Sequence, residues 1–479
     1  MELCWRTSYL ECCKVIFNCL EKYNNTTAII ASDGTEITYE YVIKVADNFG
    51  KKIPSRQVVL LICENSIYSI ASYIGFIRSG VVPLLVDYKL SQESINIICE
   101  TYAISYMCLP TSGIRKYIEN YSVFYSSNKY SLAKIKVKKN WHSLDDDLAL
   151  LIPTSGTTGN SKLVRISYKN LYENTKSISS SLSVESTDRA ITTMPMSYSY
   201  GLSIINTHLF NGASILVTNR SVIEKEFWSF FHKSKPTTFG GVPYIYTMLK
   251  RLKFSEMKLD SLKYITQAGG KLDLSLVDYF KDACKKNRTK FYVMYGQTEA
   301  TARMSILLHN EIDNKKGSIG KPIPGGRFVL KNECGEELKG ESEGELFYYG
   351  DNVSMGYAKT YSDFTLGDFN KGVLKTGDIA GRDSDGYYYI LGRKNRFVKI
   401  YGVRVGLDEL ESFINDKGFM CVCSGIDDDL KIYTTDSAYV DKIHDLISKN
   451  RLVHSAGYSI NVIDSIPRSE SGKVIYSEL

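Results

Sequence analysis

Residues Leu148 to Lys169 read LALLIPTSGTTGNSKLVRISYK, and the rest of the chain is organised around this stretch. Its middle, Thr154-Ser155-Gly156-Thr157-Thr158-Gly159-Asn160-Ser161-Lys162, gathers hydroxyl and amide side chains, glycines and one lysine. Bare amide N–H groups, hydroxyl donors and a cation are what a chain of phosphates needs. Gly156 and Gly159 let the backbone bend and approach an anion closely. The apolar runs on either side, Leu148–Ile152 and Leu163–Ile166, read as strands, so the loop joins two strands at a sheet end. A Ser/Thr/Gly surface turn is the plain alternative. A Walker P-loop is a poor fit, because that pattern closes a glycine frame with Gly-Lys-Ser/Thr and opens a helix.

Upstream, residues 26–38 read as a hairpin about an Asp33-Gly34 turn. Thr38 then caps a helix over Tyr39–Gly50. A buried strand at Val58–Cys63, a helix over Ser66–Arg78 that stops at Gly80, and a strand at Val81–Val86 make a βαβ unit. Ser91–Tyr102 and Ile104–Leu109 repeat it. The pattern predicts an α/β fold with mostly parallel sheets.

At 479 residues the chain exceeds one ordinary domain. It is 43% hydrophobic and 23% charged, a globular composition. The balance of 59 basic and 53 acidic residues is mild and contains no basic run, so nucleic acid is not the expected partner. Eleven cysteines without a CxxC pair argue for free thiols of a reducing cytoplasm over a metal site or disulfide framework. The start, MELCWRTSYLECCKVIFNCL, carries Glu2, Arg6, Glu11 and Lys14; it reads as an amphipathic helix, not a signal peptide. No apolar run is long enough to span a bilayer.

Downstream motifs follow in order. Thr192–Gly201 contains Met194-Pro195 and the aromatics Tyr198 and Tyr200. Phe239–Tyr246 contains Gly241, Pro243 and Tyr244. The turn Gln267–Leu272 contains Gly269 and Gly270. The strand Lys290–Met294 runs into Tyr295-Gly296-Gln297-Thr298-Glu299. Thr376-Gly377-Asp378 follows, then Gly392-Arg393-Lys394-Asn395-Arg396, Lys399 and Gly402, and finally Ile466–Lys473. With residues 154–162, this series resembles the adenylate-forming enzymes: acyl-CoA synthetases, peptide-synthetase adenylation domains, carrier-protein ligases and luciferases. Ser161 stands where the family has proline, and Asn395 where it has Asp or Lys.

The resemblance implies the following arrangement. A large N-terminal core over 1–392 contains two α/β subdomains of stacked mixed or parallel sheets with flanking helices, and a small β region near 317–391. A hinge at 393–396, centred on Asn395, leads to a small mobile α+β lid over 397–479. ATP and Mg²⁺ are the expected cofactors. Thr154, Ser155, Gly156, Thr157, Thr158, Gly159 and Lys162 hold the outer phosphates. Tyr295 stacks on adenine beside Gly296, with Gly269 and Gly270 along the ring; Asp378 and Arg393 take the ribose. Thr298 meets the α-phosphate and Glu299 the metal. Tyr198, Tyr244 and Gly270 wall the acyl pocket. Lys473 bridges the substrate carboxylate and the α-phosphate; Lys399 and Gly402 meet the incoming thiol.

The activity so implied converts a small carboxylic acid to an acyl-adenylate with pyrophosphate release. It then passes the acyl group to coenzyme A or to the phosphopantetheine of an acyl carrier protein. The absence of an acid between Asp188 and Glu224 argues against an α-amino acid, whose ammonium would be buried without a counter-charge. The pocket residues suggest a neutral, fairly small or aromatic acid. A non-catalytic nucleotide-binding or scaffold relative is the alternative.

Overall fold

Strands Leu148–Pro153 and Leu163–Ser167 pair antiparallel, from Leu148↔Ser167 to Pro153↔Leu163. The Thr154 amide donates to the Lys162 carbonyl at 3.0 Å, so the quoted loop closes a hairpin at a sheet end. The computed structural model describes residues 16–116, 121–127, 129–135, 143–154, 162–394, 396–401, 403–450, 452–468 and 474–479. Ser155, Gly156, Thr157, Thr158, Gly159, Asn395, Gly402, Lys473 and the start of the chain lie outside the described residues.

The hairpin belongs to an eight-stranded sheet. Val82–Asp87, Val58–Cys63 and Tyr106–Pro110 run parallel inside it, joined by the helices Ile67–Ser79 and Gln92–Thr101. A second, nine-stranded sheet has a parallel middle: Thr27–Ala31, Ser214–Val217, Arg189–Ile191, Thr238–Gly241, Tyr264–Gln267 and Lys290–Tyr295. Strands buried on both faces read as unbroken apolar runs, which is why VVLLIC and LALLI carry no alternation. One apolar core spans both sheets and the helices between them. There Tyr39–Gly50 and Ile67–Ser79 cross so closely that a Cβ on Gly75 would overlap the Ala46 carbonyl.

A four-stranded antiparallel sheet follows: Arg327–Lys331, Ser342–Tyr349, Val373–Arg382 and Tyr388–Arg393. Its core around Phe328, Leu346, Tyr348 and Tyr388 also takes in Ala300 and Met304, just after the Tyr295–Glu299 motif. The smaller C-terminal domain has its own core, Val398, Ile400, Leu410, Ile414, Cys423, Ile432, Ile443 and Ile447. It contains a hairpin, a three-stranded sheet and the helices Leu407–Asn415 and Val440–Lys449. Apolar spacing alone would start the first of these helices at Val405, but it starts at Leu407, because Val403–Gly406 pairs with Phe397–Ile400 and holds Val405 extended opposite Val398. Among the described residues, no helix is long and apolar enough to cross a membrane.

Candidate functional site

The strand Lys290–Tyr295 ends in the turn that carries Gln297, Thr298 and Glu299. Gly296 is required there by packing: a Cβ would overlap the Ala302 carbonyl as the chain folds back. Within that return Thr301 is held at φ 65, a conformation that a β-branched residue adopts only under constraint. Its hydroxyl donates to the Asn352 carbonyl at 2.8 Å.

Two groups converge on this turn. On one side, Tyr357 donates its hydroxyl to Glu299 Oε1 at 2.7 Å, and Lys162 Nζ lies 5.3 Å from the centroid of the same ring. Strand Gly356–Ala358 pairs with Leu163–Ser167 in the register Tyr357↔Val164, which brings Tyr357 beside the end of the quoted loop. The Ser199 and Thr298 hydroxyls meet at 3.0 Å.

On the other side, Asp378 pairs across the sheet with Arg393, and their side chains form an ion pair of 2.8 Å. Asp378 also accepts from the Tyr295 hydroxyl and, at 3.0 Å, from Gln297 Nε2. Burial raises the Asp378 carboxyl above the ordinary carboxylate value, against the pull of Arg393 and the hydrogen bonds. Burial and the adjacent carboxylate together push the Tyr295 phenol well up, so it stays a donor. Tyr295, Gln297, Asp378 and Arg393 thus form one connected hydrogen-bonded group.

The residues expected to wall the acyl group lie on neighbouring elements. Gly269 has φ 84, and a Cβ on it would stand 2.7 Å from the Tyr198 hydroxyl. A Cβ on Gly270 would meet the Pro243 ring at 3.2 Å, which places Gly270 against the first turn of the helix carrying Tyr244. Tyr198 is largely buried, whereas Tyr244 is 46% exposed. Lys399 sits exposed on the C-terminal hairpin, its amide held by Asp427 at 2.8 Å. The described contacts bring it to no residue of the Tyr295–Glu299 turn. Lys271 does reach the C-terminal domain, donating to Ser412 at 3.1 Å.

Sequence reasoning missed Tyr357, Gln297 and Ser199. Gln297 and Ser199 lay inside quoted motifs but carried no signal of their own. Tyr357 is one tyrosine among thirty-five, and only strand pairing singles it out.

No cluster of three or more His, Cys, Asp or Glu among the described residues could hold a metal alone. Glu299 as a single, partly exposed carboxylate suits Mg²⁺, which takes one or two carboxylates and completes its octahedron with phosphate and water oxygens.

A family model described as AMP-binding enzyme matches residues 16–358. The 2-succinylbenzoate–CoA ligase of Bacillus licheniformis is 28% identical over 347 residues, 70% of this chain and 70% of that protein. The D-alanine–D-alanyl carrier protein ligase of the same species is 29% identical over 284 residues, 57% of this chain and 56% of that protein. Among solved structures, O-succinylbenzoate coenzyme A synthetase from Bacillus subtilis in complex with AMP superposes with a TM-score of 0.79 at 18% identity. That match covers 97% of this chain and 98% of the other, and speaks for a shared fold.

Proposed function

We propose a two-step acid–thiol ligation, from the premise that this chain belongs to the AMP-binding enzyme family, whose model covers most of it. In the first step a substrate carboxylate attacks the α-phosphorus of ATP and pyrophosphate leaves. In the second a thiol attacks the acyl-adenylate and AMP leaves. One convergence supports this reading above others: Glu299, Tyr357 and Lys162 stand on one side of the Tyr295–Glu299 turn, and the Asp378–Arg393 pair on the other.

In this proposal Asp378 and Arg393 hold the ribose, with Gln297 and Tyr295 orienting the Asp378 carboxylate. Thr298, aligned by Ser199, donates to the α-phosphate. Lys162 and the loop Thr154–Gly159 take the outer phosphates. Tyr198, Gly269, Gly270 and Tyr244 bound the acyl group. Mg²⁺ bound at Glu299 would neutralise charge that builds up on the phosphates. Lys473 offsets the repulsion between two approaching anions.

We also propose the division 1–392, a hinge at 393–396 with Asn395 at its centre, and a lid over 397–479. The separate apolar core of the C-terminal domain supports it. Rotation of the lid withdraws Lys473 and presents Lys399 and Gly402 to the thiol, so each step excludes water in turn. Coenzyme A is the proposed acceptor, supported by the ligase named in the 28%-identical relative. The buried free thiols of Cys63, Cys99, Cys108 and Cys284 fit a reducing cytoplasm.

The test is carboxylate-dependent pyrophosphate exchange into ATP across a panel of acids, followed by thioester formation with coenzyme A or a phosphopantetheinylated carrier protein. Exchange with no acid would refute adenylation. Thioester on the carrier alone would reassign the acceptor.

A further inference from the structure

Strands Arg189–Ile191, Thr238–Gly241, Tyr264–Gln267 and Lys290–Tyr295 run parallel, so all four enter the nine-stranded sheet at one edge. The entries stand in a row. The Thr237 amide donates to the Arg189 carbonyl at 2.9 Å, the Lys263 amide to Thr237 at 2.8 Å, and the Lys290 amide to Lys263 at 2.9 Å. The far ends of the last three strands lead, through Gly241, Gln267 and Tyr295, to the candidate site. The entry edge is thus one strand length from that site, about 13–20 Å for strands of four to six residues.

The helices that lead into those three strands end on this edge, and each ends in cations. Helix Lys225–Ser234 is closed by Lys235, and Arg189 Nη1 donates to the Ser234 carbonyl at 3.1 Å. Helix Pro243–Arg251 ends in Lys250 and Arg251, with Lys253 just beyond. Helix Leu274–Lys286 ends in Lys285 and Lys286, with Arg288 just beyond. The last two ends meet. Lys286 Nζ donates to the Ser255 carbonyl at 3.5 Å, and Lys250 Nζ lies 5.7 Å from the ring of Tyr279, whose hydroxyl donates to Ser255 Oγ at 3.0 Å. The cations named are all exposed.

One cation is enough to offset the negative end of a helix dipole, and this edge carries more than that. Lys235, Lys253 and Arg288 hold φ of 51, 57 and 54, a conformation that glycine adopts without strain. After other helices of the chain the same conformation falls to Gly80, Ala103 and Ser183; on this edge it falls to a cation each time. Little of the charge is neutralised. Lys263 pairs with Glu185 at 2.9 Å and Asp188 at 2.8 Å, and Lys253 with Glu256 at 3.8 Å. The other cations named make no ion pair among the described residues, and Asp260 is the one further acid in residues 185–190, 235–238, 250–264 and 285–290.

We propose that this edge docks on a membrane surface rich in anionic phospholipid headgroups, through charge and without insertion. The occupant follows from what the edge lacks. No large apolar side chain in those four segments is exposed. There is no anchor for the desolvated centre of a protein interface, and no exposed ring on which a nucleic-acid base could stack. Lysine, a flexible point charge, outnumbers arginine, whose rigid fork suits fixed phosphates. A spread of such charges matches a fluid layer of anionic headgroups. Docked this way, the protein keeps its candidate site turned from the lipid. The proposal goes beyond the adenylation reading and does not depend on it.

The test is cosedimentation of the full chain with vesicles of phosphatidylcholine alone and of phosphatidylcholine mixed with phosphatidylserine. The protein binds the mixed vesicles and not the neutral ones, and binding weakens as ionic strength rises from about 0.05 M to about 0.5 M. The variant with Lys250→Gln, Arg251→Gln, Lys286→Gln and Arg288→Gln loses about a hundredfold or more in vesicle affinity. Its melting temperature and its pyrophosphate exchange stay at wild-type values. A charge-matched variant, with Lys339, Lys359, Lys371 and Lys442 changed to Gln, keeps most of the binding. Equal loss in the two variants overturns the proposal, because net charge alone then accounts for the attraction. No binding to the mixed vesicles at low salt overturns it, and so does tighter binding of duplex DNA than of vesicles through the same four residues.

Discussion

Tyr357 and Glu299, far apart in sequence, meet through a hydrogen bond of 2.7 Å from phenol to carboxylate. The bond fixes the rotamer of the one acidic side chain in the Tyr295–Glu299 motif. Tyr357→Phe removes it without changing the ring that faces Lys162. A charge-assisted bond is worth about 1.5–3 kcal/mol when buried, and less here because Tyr357 is 43% exposed. The Mg²⁺ concentration giving half-maximal pyrophosphate exchange therefore rises by about three- to tenfold. An unchanged Mg²⁺ dependence would show that Glu299 needs no such support.

Lys473→Ala lowers adenylation by about a hundredfold or more, the scale of a lost transition-state donor. Thiolysis of supplied acyl-adenylate is largely spared. Rapid-quench measurement of both half-reactions checks this, and equal loss in both would count against a lid with two working positions.

Asn395→Pro has the opposite signature. Fixing φ at the hinge and removing an N–H traps one lid position. Thiolysis falls while adenylation persists; wild-type thiolysis in this variant would remove Asn395 from the hinge role.

His208 provides a pH test of the core. Its Nδ1 faces the Ile204 carbonyl at 2.8 Å, which can only accept, so Nδ1 carries the proton and Nε2 accepts from Thr238 at 3.0 Å. Burial lowers its pKa from 6.5 to about 4. The unfolded chain thus binds a proton in a range where the native state does not. The stability from neutral His208 is present above 6.5 and is lost as pH falls towards 4, in total about 3 kcal/mol. Melting temperatures measured from about pH 7 to about pH 4.5 fall more steeply in wild type than in His208→Asn. Parallel slopes would contradict the assignment.

Arg396 anchors the start of the C-terminal domain. It pairs with Glu411 at 2.7 Å and with Asp408, donates to the Cys423 carbonyl at 2.7 Å, and lies 3.7 Å from the Tyr476 ring centroid. Burial already raises the Glu411 carboxyl above its ordinary value. Arg396→Ala strands that carboxylate and destabilises this domain by about 3 kcal/mol. Hydrogen exchange should accelerate over 397–468 and stay unchanged over the strands at 58–63 and 148–153. Uniform acceleration would mean that the two parts unfold together.

Much of this protein could be read from local chemistry. Strand Val58–Cys63, the capped helix at Tyr39–Gly50 and the hairpin about Thr154–Lys162 follow from runs of apolar residues, a hydroxyl cap and turn formers, all of them short-range. Asp378 and Arg393 were legible because a motif names them, yet their cross-strand pairing was not.

Contacts between distant segments carry no periodic trace. Tyr357 reaches Glu299 only because strand Gly356–Ala358 adds to the edge of the sheet holding the loop. Val405 leaves its apparent helix only because a partner strand competes for its backbone. Arg303 reads as one more cation in the sequence until folding buries it against the Tyr200 ring, with no carboxylate paired to it among the described residues. Sequence alone determined the elements and the family, because both reside in residue order. Tertiary structure decided which side chains are paired and which are left wanting a partner, because desolvation and long-range pairing exist only once the chain has folded.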